Sequence, residues 1–196
     1  MIKIIANVLI FIGISLFGFI GYEQYSAHQE KVKMIQQIIQ LQDKPSTPGL
    51  KENPSGKNQK TNGIPQLEIS KINLKESIFE GTSEDILRVA VGHLEQSGEL
   101  GKIGDNFVVL GHRNYITGQY FSRLDELDSG DEMTISTQNK VYFYRVIQKK
   151  IIDPTDIKAI RPIPNKSLVT LITCHPKFSS KQRLLVISEL VKQVPS

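Results

Sequence analysis

The chain has 196 residues, 39% of them hydrophobic and 22% charged, with a formal net charge of +4 and one cysteine. Residues 1–62 carry seven Lys/Arg against four Asp/Glu and residues 63–196 carry seventeen against sixteen, so the larger part is nearly neutral and lacks the clustered basic footprint of a nucleic-acid binder. Such a length holds one ordinary domain plus an appendage, and the lone cysteine excludes an intramolecular disulfide or a multi-cysteine zinc site.

From Ile4 to Tyr22 no residue is charged, and only Asn7 and Ser15 are distinctly polar. A bilayer core of about 30 Å takes roughly 20 such residues as a helix, so the stretch is long enough to span. A cleaved signal peptide is the alternative, but the exit Tyr22-Glu23-Gln24-Tyr25-Ser26-Ala27 fits a cleavage site poorly, which favours an uncleaved anchor over residues 1–22. Lys3 and the amino terminus favour a cytoplasmic start, while Lys31 and Lys33 beyond the span weaken that signal. Residues 23–43 place Val32, Ile35, Ile38 and Ile39 at helical spacing and read as a stalk or surface helix. From Lys44 to Gly63, Pro45, Pro48 and Pro54 stand among Ser, Thr, Asn, Lys and Gly, a composition that reads as a flexible tether.

The folded domain is expected over residues 64–196, and its pattern is mainly β. Gln66 to Ile72 alternates as a half-buried strand should, and Lys75 to Phe79 continues the sheet. Thr82 or Ser83 followed by Glu84-Asp85 opens a short helix carrying Ile86, Leu87, Val89 and Ala90 inward. After a loop from Gly98 to Asn106, Phe107 to Leu110 is a buried strand. Gln119 to Leu127 fits a helical turn or two with Phe121, Leu124 and Leu127 on one face. Asp131 to Thr137 and Val141 to Ile152 are further strands around the turn Gln138-Asn139-Lys140. A connection containing Pro154, Pro162 and Pro164 leads to the apolar run Val169 to Thr173, which ends in Cys174-His175-Pro176. Leu184 to Ile187 then pairs with it as a hairpin. About eight short strands with few helices point to a β-barrel or sandwich.

Three strand ends carry chemistry. Val108 to Leu110 delivers His112, the Val169 run delivers Cys174, and Arg183 opens the last apolar run. A thiol needs a neighbouring base or cation to act as a nucleophile; histidine serves as general base and then general acid, and the arginine fork suits an oxyanion. Taken singly, each has a plainer reading: a packed cysteine, a hydrogen-bonded structural histidine, a solvated arginine. An unpaired thiol on an exported domain favours a working residue.

Thr170-Leu171-Ile172-Thr173-Cys174 with Arg183 nine residues on, after Leu110-Gly111-His112-Arg113, resembles the sortase family, the cysteine transpeptidases that attach proteins to the cell wall of Gram-positive bacteria. The likeness covers roughly residues 64–191, including Gln66 to Ile69, Val91-Gly92-His93 and Phe121 to Asp131. It implies an eight-stranded sortase-type β-barrel with short helices, preceded by an N-terminal transmembrane helix. It also implies a two-step reaction. Cys174 attacks an LPXTG-like sorting signal after its Thr, His112 protonates the departing amine, and Arg183 holds the oxyanion. The thioacyl enzyme then passes the protein to an amine such as that of lipid II. Thr173 and His175 flank the nucleophile and are the substrate-binding candidates; His93 and His175 also have structural readings. Glu95, Glu99 and Asp105 lie where some class A members hold calcium, but no metal or cofactor is expected. The implied partners are surface proteins with a C-terminal sorting signal, a peptidoglycan amine, and the membrane that keeps the domain outside the cell. Gly111-His112-Arg113 and Val91-Gly92-His93 lean towards class D, Pro154-Thr155-Asp156 and Thr170 to Cys174 also suit class A, and His175 departs from the aromatic residue of class D. A cysteine protease, or a non-catalytic tethered barrel with a buried Cys174, are the rival functions.

Overall fold

The computed structural model describes residues 12–19, 22, 25, 29, 33, 36, 63–113 and 120–196. Two units are distinguished, Met1–Glu52 and Asn53–Ser196. In the first, residues 12–19 are helical. Among the described residues no helix is long and apolar enough to cross a membrane. Most of the expected anchor and stalk, and nearly all of the tether, lie outside the described residues.

The second unit contains eight strands: β1 (Gln66–Ile69), β2 (Leu74–Glu80), β3 (Val91–His93), β4 (Asn106–Leu110), β5 (Glu132–Ser136), β6 (Lys140–Ile152), β7 (Leu168–His175) and β8 (Gln182–Pro195). One short α-helix, α1 (Glu84–Val89), and 3-10 turns at Ser70–Ile72, Leu124–Glu126 and Ile157–Ile160 complete it. The strands close into a barrel in the order β1-β2-β3-β4-β7-β8-β6-β5, with β5 antiparallel to β1. Two neighbouring pairs are parallel, β2 with β3 and β4 with β7. The expected eight-stranded, mainly β barrel is therefore present. Its details differ in two places. The first strand stops at Ile69, because Asn73 takes the left-handed conformation (φ 50°) and closes a 3-10 turn over Ser70–Ile72; asparagine tolerates that region better than most residues. β3 has only three residues, too few for alternation to reveal it.

Strand side chains point alternately to opposite faces, so the barrel has two apolar layers. Val109, Leu171 and Val186 point inward with Leu67, Ile69 and Ile135, all fully buried. Phe121, Leu124 and Leu127 plug the same interior from the β4–β5 connection, on one face as their spacing predicts. Burial of each such side chain stabilises the fold by about 1.5–3 kcal/mol. The alternate residues Val108, Leu168, Ile172, Leu185 and Ile187 form a second cluster on the outer face, against which Leu94, Leu110, Ile152, Ala159 and Ile160 pack. Asn106 secures this outer layer. Its Nδ2 donates to the Ile160 carbonyl (2.8 Å) while its Oδ1 accepts from the Thr170 hydroxyl (2.9 Å), holding the β6–β7 connection against the sheet.

A charged web ties the connections on another side. Asp131 accepts from Lys71 Nζ and from the Asp128 N–H, each at 2.7 Å. Lys149 of β6 donates to the carbonyls of Asp125 (2.8 Å) and Leu127 (2.6 Å). The Lys71 ammonium and the Asp128 N–H hold the Asp131 carboxyl below the usual carboxylate value of 3.8. A depressed folded-state pKa gives stability that is complete above the unfolded value and lost as pH falls through the folded one. Asp131→Asn is therefore expected to lower Tm at neutral pH and to flatten the decline of Tm below about pH 4, measured by thermal unfolding across pH.

Candidate active site

The β4–β7 register ends at Leu110 opposite Ile172. One further rung follows, from the Gly111 N–H to the Ile172 carbonyl (3.1 Å), and the Thr173 hydroxyl donates to the Gly111 carbonyl (2.8 Å). His112 and Cys174 thus each stand two positions beyond the last register pair of two parallel strands, whose spacing is about 4.8 Å. On the other side of β7, Cys174 lies directly opposite Arg183 of β8. Directly opposed residues share a face and have Cβ atoms about 4.5–5.5 Å apart. Parity identifies the face: Cys174 follows Ile172, and Arg183 precedes Leu185, both members of the outer cluster. Cys174 and Arg183 therefore share the outer face at one end of the barrel, the end at which β4 finishes two residues before His112.

His112 is exposed and Cys174 half-buried, so the thiol is reachable from solvent. Arg183 donates through Nη1 to the carbonyls of Ser180 (2.8 Å) and Gln182 (3.0 Å), which seats the guanidinium at the root of the β7–β8 loop. Thr173 occupies the opposite face from Cys174, 2% exposed, with its hydroxyl committed to Gly111. That position ties two strands together rather than presenting a group to substrate. His175 is half-buried, and its Nδ1 faces Arg113 Nη1 at 3.2 Å.

Arg113 is the residue whose role the sequence left open. Its side chain is 2% exposed, Nη1 donates to the Cys174 carbonyl (3.2 Å), and Nη2 pairs with Asp125 (2.9 Å). The only signal was position, immediately after His112; the carboxylate partner comes from twelve residues downstream and was not foreseeable.

His93 is built into the fold. Its ring stacks on Phe107 at 4.0 Å, and its two nitrogens meet Glu80 and Ser97, each at 2.8 Å. The Glu80 carboxylate only accepts, so His93 Nδ1–H points to it and Nε2 of the neutral ring accepts from the Ser97 hydroxyl, whose oxygen in turn accepts from the Val108 N–H (3.1 Å). In the neighbouring loop Asp105 is turned inward on its own chain, accepting from the Glu99 N–H (2.9 Å) and pairing with Lys102 (3.3 Å). Among the described residues no group of three His, Cys, Asp or Glu side chains is placed to hold a metal ion. A cleft of about 330 Å³ opens between Ile72, Leu74, Tyr120 and Arg123, and includes none of His112, Cys174 or Arg183. Tyr120 beneath it donates to the Arg88 carbonyl (2.6 Å), and burial pushes its phenol up to about 12.

Gly111, between the ladder and His112, has no room for a side chain. A Cβ there would lie 2.7 Å from Phe121 Cδ2 and 3.0 Å from Val91 Cγ1, both in fully buried residues. Gly111→Ala is expected to cost about 1–3 kcal/mol, read as a lowered Tm, with His112 displaced in the folded fraction.

A model of the sortase domain matches residues 67–191. Sortase D of Bacillus subtilis is 29% identical over 185 residues, covering 89% of each chain. Sortase SrtE1 of Streptomyces coelicolor is 31% identical over 147 residues, 68% of this chain but 42% of that one. Among solved structures, sortase A from Corynebacterium diphtheriae superposes with a TM-score of 0.64 at 31% identity, over 66% of this chain and 61% of the other. Sortase E1 from Streptomyces coelicolor with a tripeptide in its active site gives 0.62 at 29% identity, over 68% and 90%. The match spans the whole barrel, from β1 to within β8, and on that ground the chain belongs to the sortase family of cysteine transpeptidases.

Proposed function

We propose that the protein is a membrane-tethered transpeptidase that cleaves an LPXTG-like sorting signal after its threonine and transfers the new carboxyl end to a cell-wall amine, such as that of lipid II. The observation that carries this reading is that Cys174 lies opposite Arg183 across β7–β8, while His112 and Cys174 each follow by two positions the last register pair of the parallel strands β4 and β7. In this reading the Cys174 thiolate adds to the threonine carbonyl, and Arg183 donates hydrogen bonds to the oxyanion as it forms. His112, exposed to solvent, gives its proton to the departing amine, leaving a thioester on Cys174. The incoming amine adds to that thioester, His112 takes its proton, and the thiolate leaves.

The outer apolar layer supplies a binding surface. Ile172 and Leu110 adjoin the nucleophile, with Leu94 and the Ala159-Ile160 turn alongside. An extended peptide alternates its side chains, so one laid along this strip would turn an apolar residue towards it while its threonine carbonyl reached Cys174. Extensive mutual coverage with sortase D of Bacillus subtilis supports the class D side of the subclass reading. The uncharged run from Ile4 to Tyr22 supports an anchor that keeps the catalytic domain outside the cell; cleavage of that domain by protease added to intact cells tests it.

A quenched LPXTG peptide incubated with and without an added amine tests the reaction. The expected outcome is a thioacyl adduct on Cys174 and turnover that rises with amine. Full-rate hydrolysis without amine would make the protein a protease. Cys174→Ala should abolish adduct and turnover, and His112→Ala should lower kcat/KM by roughly a hundredfold to ten-thousandfold. Arg183→Lys, which loses the planar fork, should cost about a hundredfold or more in kcat.

A further inference from the structure

We propose that Arg113 is a positioning residue of the catalytic centre: its buried guanidinium carries the tie between the His112 and Cys174 segments past the point where the β4–β7 ladder ends. The proposal rests on the sortase reading of Cys174 and His112.

The ladder between these strands stops at the rung from Gly111 to Ile172. Beyond it the chain from β4 turns away: the His112 carbonyl accepts from the Phe121 N–H (3.1 Å), and Arg113 forms an isolated bridge with Tyr120. The backbone that presents the nucleophile has therefore parted from its parallel neighbour at the residue that matters. Arg113 restores the connection with its side chain. Nη1 donates to the Cys174 carbonyl and meets His175 Nδ1, each at 3.2 Å. His112 is consequently held on both flanks to the strand of Cys174, by Gly111 on one side and Arg113 on the other.

Arginine suits this place for geometric reasons. Its planar fork presents separate N–H groups to a carbonyl, a ring nitrogen and a carboxylate together, whereas lysine offers one nitrogen on a flexible stem. A guanidinium this deeply buried needs an anion, and Asp125 supplies it at 2.9 Å from Nη2. Lys177, three residues after Cys174, stands 3.7 Å from the other Asp125 oxygen, so the same carboxylate also reaches the β7–β8 loop. With its charge balanced by Asp125, Arg113 acts on geometry. Its N–H groups only donate, so His175 Nδ1 is the acceptor and the ring proton sits on Nε2.

The test uses the full-length protein. Sorting-peptide turnover and thermal unfolding are measured for Arg113→Lys, Arg113→Gln, His175→Asn and His175→Gln, together with the pH profile of Cys174 alkylation by iodoacetamide. A displaced reacting pair costs on the order of a hundredfold, so Arg113→Lys is expected to lower kcat about 10- to 100-fold, with KM little changed, at temperatures where it is fully folded. Asparagine carries its oxygen near the place of Nδ1 and glutamine near that of Nε2, so His175→Asn should retain more activity than His175→Gln. In the alkylation assay Arg113→Gln should reproduce the profile of His112→Ala. Wild-type kcat in folded Arg113 variants, losses that merely track the folded fraction, equal effects of the two His175 variants, or a wild-type alkylation profile for Arg113→Gln would each overturn the proposal. Failure of the wild-type protein to use sorting peptides would remove the functional reading alone, because the alkylation comparison still decides what Arg113 does.

Discussion

The parallel pairing of β4 with β7 is the contact from which the site is built. Parallel strands run their chains to the same end, so whatever follows each apolar run arrives at one edge of the sheet. Antiparallel pairing of the same two runs would have carried His112 to the opposite end from Cys174. The pairing joins segments far apart in sequence: Thr173 and Gly111, which share a buried hydrogen bond, are 62 residues apart. Loop-closure cost grows only slowly with length, so that span, which holds β5, β6 and two 3-10 turns, adds little to the cost. What the strands gain is burial on both faces, one apolar layer inward and a second outward.

That outward layer sets the character of the site. In a barrel with a polar exterior, Cys174 would follow residues facing water. Here it follows Ile172, beside Leu110 and Leu185, and the β6–β7 connection is fastened over the layer through Asn106. The side chains at the rim, Leu94, Leu110, Ala159 and Ile160, remain partly exposed. The Cys174 thiol accordingly lies where an apolar strip meets solvent.

Three buried polar pairings close to the site help to fix its geometry. Thr170 and Asn106 satisfy each other, Thr173 is spent on Gly111, and the Arg113 guanidinium is matched by Asp125. Polar networks in a low-dielectric setting are strong when complete and costly when broken, which makes them suited to holding reacting groups in register. The three candidate residues are the more accessible ones: His112 is exposed, and Cys174 and Arg183 are half-buried.

Much of the barrel was legible in the chain because strand alternation and turn residues are local properties. Alternation or a short apolar run marked seven of the eight strands, and a helical spacing put Phe121, Leu124 and Leu127 in the core. The three candidate residues stood out in the chain as well, each at the end or start of an apolar run. Other features were not. β3 is too short to display a period, and Ser70–Ile72 alternates like a strand yet turns, because Asn73 can reverse the backbone there. Thr173 adjoins Cys174 in the chain but faces the other side of β7, and no local pattern set Arg113 between Asp125 and the Cys174 carbonyl. By itself, then, the sequence determined the strands, the residues at their ends and the chemistry those residues bear. Only the tertiary structure decided which ends meet, because register and parallel pairing belong to two distant segments at once and leave no period in either.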